Sequence, residues 1–390
     1  MNPKLVFKRV LKSRFIGFFA FVLLTSCQPN TDSQAELIQR ALHEPAAAMQ
    51  LANQRLATAQ YNEALYWFRQ AALLGNNAAL EHALQLQQRV QGRLASAQWL
   101  QQQLDANAIA ISAVSDAQRA ILGLWAEHQP LVSGFKHAQG CQLTLQPVIS
   151  QQLGADTWQR LLQQWQQDRQ LSQLPVCFLS VYTVNSTELA CTENSDSLIQ
   201  CQYNVLNSLV AKGTFSQLLV IAGRGKAGYN NGIVQLPDNA SLALLRHEFM
   251  HILGFVDEYQ LAARNAQQVC QPGVIYPNVI IGNDVTGYLQ QWQLTREDIT
   301  LTAVDSCQVT PLQAYRVVSQ ANVMRFYELE LPDLYFQLAK KAIAQPEQLM
   351  PVQYYFAYLA RQQQNWPQWQ QFMQQASAMG YADATQALAL

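Results

Sequence analysis

A chain of 390 residues with 49% hydrophobic side chains holds material for more than one buried core, and a prior of one domain per ~150 residues points to two or three units. Charged residues make up 13%, and 25 basic against 26 acidic side chains leave no excess positive field to neutralise phosphates, which excludes nucleic-acid binding as a first reading. The charge deficit is filled by Gln and Asn rather than by Gly, Ser and Pro runs, which argues against a disordered chain.

Residues 1–14 carry Lys4, Lys8, Arg9, Lys12 and Arg14 and no acid, and the apolar run 15–24 follows. A cationic stretch ahead of a short apolar one is the pattern of a secretory signal, and the run is shorter than the ~20 residues that span a bilayer. It ends in Leu24-Thr25-Ser26-Cys27, which resembles the bacterial lipobox. The resemblance implies removal of residues 1–26 and lipidation of Cys27; an ordinary secretory signal with an incidental cysteine is the plainer alternative. Gln28 after the cysteine implies, by likeness to Gram-negative lipoproteins, an outer-membrane anchor with the protein on the periplasmic or surface face. Loss of five cations with the signal takes the formal net charge from -1 to -6, and the seven cysteines become one anchor and six that can pair in an oxidising compartment.

After a linker at 27–34, residues 35–130 are expected to be helical, with Ala, Leu and Gln throughout and almost no Gly or Pro up to about 105. Tyr61, Ala64, Trp67, Ala71 and Gly75 stand at helical spacing, the glycine suiting a left-handed helix C-terminus and the alanines a close approach of two helices. The pattern resembles one unit of the tetratricopeptide or Sel1-like class.

The chain changes character over 138–330. Residues 141–149 alternate like a strand, and a helix over 156–171 places Trp158, Leu161, Leu162 and Trp165 on one face. A second strand is expected over 175–184, a central strand over the apolar run 216–222, and a turn over 223–231. The proline in 232–237 suits an edge strand. Asp238, Asn239 and Ser241 then supply capping side chains ahead of a helix over 242–253. The order strand, helix, strands, helix indicates an α+β domain with a mixed sheet.

That last helix contains His247, Glu248 and His251. Four-residue spacing puts both imidazoles on one face, where they can grip one metal ion, and Glu248 beside that face can take a proton from a water on the metal. With six histidines in the chain, such a His-Glu-x-x-His string arises by chance about 0.003 times per chain, so accident is a weak explanation. Gly254 can stop the helix and turn the chain back, which brings Asp257 to the metal. His43, His82, His128 and His137 all lie upstream, so nothing after His251 can supply a third imidazole, which supports a carboxylate as the third ligand. Glu258 is the fallback ligand, and Glu297, on a later helix, is the more distant one.

The string from His247 to Tyr259, HEFMHILGFVDEY, resembles the metzincin zinc-peptidase signature, with Asp257 where most members carry histidine. Snapalysin-type members carry aspartate there, and IgA-peptidase-type zincins end in a similar DEY one residue later. The resemblance covers roughly residues 138–330. It implies a zincin-type mixed sheet with an active-site helix, Zn2+ on His247, His251 and Asp257, Glu248 as the base, and a tight turn with a methionine beneath the metal. Met324, within Ala321-Asn322-Val323-Met324-Arg325-Phe326-Tyr327, is the candidate for that turn. Where relatives place a metal-facing tyrosine two residues after the methionine stands Phe326, which leaves Tyr327 and Tyr259 to stabilise an oxyanion.

The six cysteines within this region allow fifteen pairings, of which the local ones are simplest: Cys141 with Cys177, Cys191 with Cys201, and Cys270 with Cys307. Without a CxxC pair, a cysteine-rich structural zinc site is the weaker reading. Residues 331–390 return to helix, and Trp366, Trp369, Phe372, Ala376 and Gly380 repeat the pattern of the first helical unit. Neither unit is long enough to stand as a solenoid, so each is expected to pack on a neighbour or on the central domain.

The expected function is that of an exported, membrane-anchored zinc endopeptidase that hydrolyses peptide or protein substrates by Glu248-assisted attack of a zinc-bound water. The alternative is a lipoprotein scaffold that binds protein partners through its helical units while the zincin domain is inactive. An amidase acting on peptidoglycan stems is a third, weaker reading of the same site.

Overall fold

The computed structural model describes residues 34–389 apart from 126, 127, 129 and 283, so the expected signal and Cys27 lie outside the described residues. Among the described residues no helix is long and apolar enough to cross a membrane.

Five consecutive helices open the described chain: α1 (Gln34–Ala41), α2 (Pro45–Ala57), α3 (Tyr61–Leu73), α4 (Asn77–Gln91) and α5 (Arg93–Asp105), with α6 (Asp116–Leu122) after a looser stretch. Loops of two to four residues between most of them force each helix back along its predecessor. Their apolar faces share one core, in which Leu51, Phe68, Ala71, Leu84 and Leu100 are buried.

The central domain begins with β1 (Leu143–Ile149) and α7 (Gln152–Gln167), which buries Trp158, Leu161, Leu162 and Trp165 as their spacing predicts. The single strand expected over 175–184 is two short ones, β2 (Val176–Phe178) and β3 (Tyr182–Thr183), both parallel to β1. Between them Val181 N–H leaves the ladder and donates to Val132 O. There follow α8 (Ser186–Leu189), β4 (Glu193–Leu198), α9 (Asn207–Lys212), β5 (Gln217–Ile221), β6 (Arg224–Lys226), β7 (Gly228–Asn230), β8 (Ile233–Leu236) and α10 (Leu242–Ile252).

The main sheet has the order β2-β1-β5-β8-β7, parallel except for β7, which runs antiparallel to β8. Two expectations fail here. Residues 223–231 are not a plain turn but carry β6 and β7, and β8 is an inner strand whose edge role falls to β7. Pro237 lies one residue past β8, so its missing N–H removes no ladder bond. Alternation along β5 splits the core: Leu219 and Ile221 face α7 and α10, whereas Leu218 and Val220 face the C-terminal helices.

The segment after α10 holds α11 (Ala263–Val269), β9 (Val279–Ile281), α12 (Val285–Trp292), β10 (Thr302–Val304) and β11 (Ala314–Arg316), the strands forming an antiparallel sheet in the order β10-β11-β9. All three expected disulfides are present, Cys141–Cys177, Cys191–Cys201 and Cys270–Cys307, the last stapling this segment. α13 (Asp333–Ile343), just past the expected boundary at 330, packs Tyr335, Phe336 and Leu338 into the same core as α10. α14 (Val352–Gln362), α15 (Trp366–Ala378) and α16 (Ala382–Leu388) cover the opposite face of the main sheet through Val352, Phe356 and Phe372.

The two helical units share their turns. α3 ends with Gly75 at φ 95°, Asn76 N–H on Ala71 O and Gly75 N–H on Ala72 O. α15 ends with Gly380 at φ 94°, Tyr381 N–H on Ala376 O and Gly380 N–H on Ser377 O. Both are left-handed closures that satisfy the last helical carbonyls, as the shared spacing of alanine and glycine predicts. α2 and α14 close in the same way through Ala59 and Gln364, each at φ 57°.

One buried ion cluster docks the N-terminal helices on the central domain. Arg93 N–H and Nε–H each donate to the Glu193 carboxylate at 2.9 Å, and the guanidinium also pairs with Asp238. Asp238 therefore serves this cluster, while Ser241 Oγ alone caps α10 by accepting from Leu244 N–H. Arg93→Ala would leave Glu193 with only the backbone N–H of residue 93 and strip the guanidinium from Asp238, which is 2% exposed. Breaking such a buried pair costs about 3–5 kcal/mol. A urea midpoint equal to that of the unchanged protein would show that the cluster contributes nothing.

Candidate metal centre

The chemistry of the site starts with the end of α10. Gly254 adopts φ 83°, Phe255 N–H donates to Met250 O and Gly254 N–H to His251 O, so the helix stops and the chain doubles back under its own last turn. The reversal brings Phe255 O to His251 Nδ1 at 2.8 Å, and Asp257 follows two residues later.

His247, Glu248 and His251 offer ligand atoms within 4.8 Å of one another, a group that could hold a metal ion. A tighter triangle lies beside it. His247 Nε2, His251 Nε2 and Asp257 Oδ1 stand 3.3 Å apart along all three edges. Bonds of 2.0–2.1 Å to a tetrahedral ion separate neighbouring donor atoms by about 3.3–3.4 Å, so these three atoms already occupy three corners of such a shell.

The outer partners set the direction of the lone pairs. His247 Nδ1 lies 2.8 Å from Val323 O and His251 Nδ1 lies 2.8 Å from Phe255 O. A carbonyl can only accept, which assigns the proton to Nδ1 in both rings and turns each bare Nε2 toward the centre. Asp257 Oδ1 is buried, and among the described residues no well-formed hydrogen bond reaches it. Three acceptor atoms thus converge on one point with no donor among them, an arrangement that calls for a cation or a proton.

The titration behaviour carries the same message. Burial alone would lower the His251 imidazolium, yet the Asp257 carboxylate raises it to about 9. Burial would raise Asp257, yet the imidazoles of His247 and His251 hold it well below the usual carboxylate range. A proton and a divalent cation therefore compete for the same space. Glu248, 5% exposed, is pushed above the ordinary carboxyl value by burial, against the pull of both imidazoles.

Glu258 does not turn toward the metal centre, and the fallback assignment is corrected. Its carboxylate is fully buried and accepts from Tyr335 Oη at 2.5 Å, Asn322 Nδ2 at 2.8 Å and Asn278 Nδ2 at 3.2 Å, with Arg316 4.0 Å away. These partners come from α13, the segment after β11, the stretch ahead of β9, and β11 itself. Glu258 thus knots four distant pieces of chain behind the site, a role sequence reasoning missed because none of the partners is a sequence neighbour.

The turn around Met324 belongs to the same construction. Met324 is fully buried; its O accepts from Glu258 N–H at 2.9 Å, its N–H donates to Asn322 Oδ1, and the preceding Val323 O is the partner of His247. Ser306 Oγ, next to Cys307 of the stapling disulfide, donates to Asp257 O at 2.6 Å. Of the two tyrosines, Tyr259 is hydrogen-bonded to Asp257, and the enclosure of its hydroxyl together with the Asp257 charge raises its pKa above the usual phenol range. Tyr327 is instead tied to Glu328 on the surface, and Phe326 is exposed. Glu297 is exposed in a short helical turn, Arg296–Asp298. His82 stacks on Phe68, while His128 contacts Thr183 and His137 contacts Ser172 O.

No protein-family model matches the sequence, and no curated protein matches it.

Proposed function

We propose that the protein is a zinc-dependent endopeptidase of metzincin type, exported and held at a membrane by a lipid on Cys27. The observation that carries this reading is the 3.3 Å triangle of His247, His251 and Asp257 with a buried carboxylate, Glu248, beside it. Two imidazoles and one carboxylate form a donor set suited to zinc, and three protein ligands leave a corner for chemistry. Zinc, when bound, supplies Lewis acidity that polarises a carbonyl and acidifies water.

The chain's own residues do the rest. Val323 O and Phe255 O hold both rings in one tautomer, and Ser306 fixes the backbone of Asp257. Burial raises Glu248 toward the working pH, which suits a group that must accept a proton from the attacking water and then give it to the leaving amine. β7 ends the main sheet as an antiparallel edge strand and can take an extended peptide by strand addition.

The test is metal content by mass spectrometry on purified residues 28–390, paired with cleavage of casein or a quenched peptide library. One zinc per chain with chelator-sensitive cleavage is expected. Zinc without cleavage of any peptide would favour the scaffold reading, and a protein that takes up no zinc at saturating metal would end both zinc-based assignments. Chelation of the loaded protein should also lower its melting temperature, since a ligand at about a hundred times its Kd adds about 2.7 kcal/mol to the folded state.

A further inference from the structure

A cleft of about 510 Å³ opens beside His251, between edge strand β7, the C-terminal end of α10, residues 275–277 and the neighbouring ends of α12 and α13. Its size falls in the ~300–1,000 Å³ range of ligand sites. Tyr229 stands opposite Val234 in the β7–β8 ladder and packs on the α10 side of the sheet, so the cleft runs from the edge strand toward His251. Tyr229, Tyr276, Pro277, Trp292 and Met350 give it a broad apolar wall.

The charge of the lining is one-sided. Among the described lining residues Lys341 is the formal cation and there is no carboxylate, in a chain that carries 26 acidic residues. Lys341 Nζ donates to the backbone carbonyls of Trp292 and Gln293, which close α12. An ammonium has three N–H donors, so two carbonyls leave one donor free for a ligand. Asp298, outside the cleft lining, is a partial counter-charge to the ammonium, its carboxyl lowered by its bonds to Thr295 and, to a lesser degree, by Lys341. The helix terminus thereby fixes the cation at the wall of the cleft.

The geometry points to a substrate-recognition cleft for acidic peptides, in which a bulky apolar side chain packs on Tyr229, Tyr276 and Trp292 while a nearby carboxylate meets Lys341. The inference rests on the peptidase reading for its choice of a peptide as ligand, and it names the substrate class of that same site.

Binding can be measured apart from hydrolysis. Zinc-loaded Glu248→Gln protein is titrated with fluorescein-labelled peptides that carry one Phe or Leu and a single Glu walked along the chain, each against its Gln isostere. At one register the Glu peptide is expected to bind about fivefold tighter than its isostere, a preference that shrinks as salt is raised. Adding Lys341→Met should abolish the preference, while Lys341→Arg should keep it, and circular dichroism checks that both fold. Equal binding of Glu and Gln peptides at every register, or a preference that survives Lys341→Met, overturns the inference. Charge-dependent binding by a wild-type protein that cleaves nothing would sink the peptidase reading and leave the cleft standing; cleavage with no charge preference would do the reverse.

Discussion

Glu248→Gln is expected to leave the protein folded and loaded with one metal ion per chain while kcat falls by about 10²–10⁴-fold, the usual contribution of a positioned general base. The amide has nearly the volume of the carboxylate, so the packing around this buried residue is kept, and the 3.3 Å triangle of His247, His251 and Asp257 does not include it. A neutral amide has no basic lone pair of the required strength, so deprotonation of the attacking water and protonation of the leaving amine both lose their agent. The readouts are metal stoichiometry and single-turnover cleavage of a quenched peptide. Full activity in the variant would eliminate Glu248 as the base, and loss of the metal would move it among the ligands.

What the sequence made legible follows from local geometry. A helix repeats every 3.6 residues, so the spacing of His247 and His251 is enough to set two imidazoles on one face. Glycine at 254 adopts φ 83° at little cost, so the reversal toward Asp257 is also local information. The shared turns of the two helical units are read from alanine and glycine spacing for the same reason. What stayed hidden depends on distant partners. Which of two adjacent acids faces His247 and His251 is decided by Asn278, Asn322, Arg316 and Tyr335, which surround Glu258 and turn it away. The edge strand was misplaced because a proline signals an edge only inside a ladder, and Pro237 falls outside one. Asp238 reads as a helix cap until Arg93, from another part of the chain, claims it.

That division between neighbouring acids yields the second large effect. Asp257→Ala removes one corner of the triangle, so zinc affinity should fall by more than the roughly 10–100-fold that losing an outer partner costs. The metal-free fold also loses the attraction between the Asp257 carboxylate and the imidazoles of His247 and His251 and the hydrogen bond to Tyr259, so some loss of metal-free stability accompanies the loss of the ligand. Glu258→Gln is expected to weaken the fold while sparing the response to zinc. Four donors surround that carboxylate, and an amide nitrogen among them turns a satisfied pocket into a donor facing donors, at about 1–3 kcal/mol for each buried group left unpaired. Melting curves with and without zinc separate the two. In Asp257→Ala the increase in melting temperature on adding zinc should vanish, on top of a lower metal-free value. In Glu258→Gln the metal-free temperature should drop while zinc still raises it. Were Glu258 the ligand, the response to zinc would vanish in Glu258→Gln and survive in Asp257→Ala, because only removal of the true third donor abolishes it.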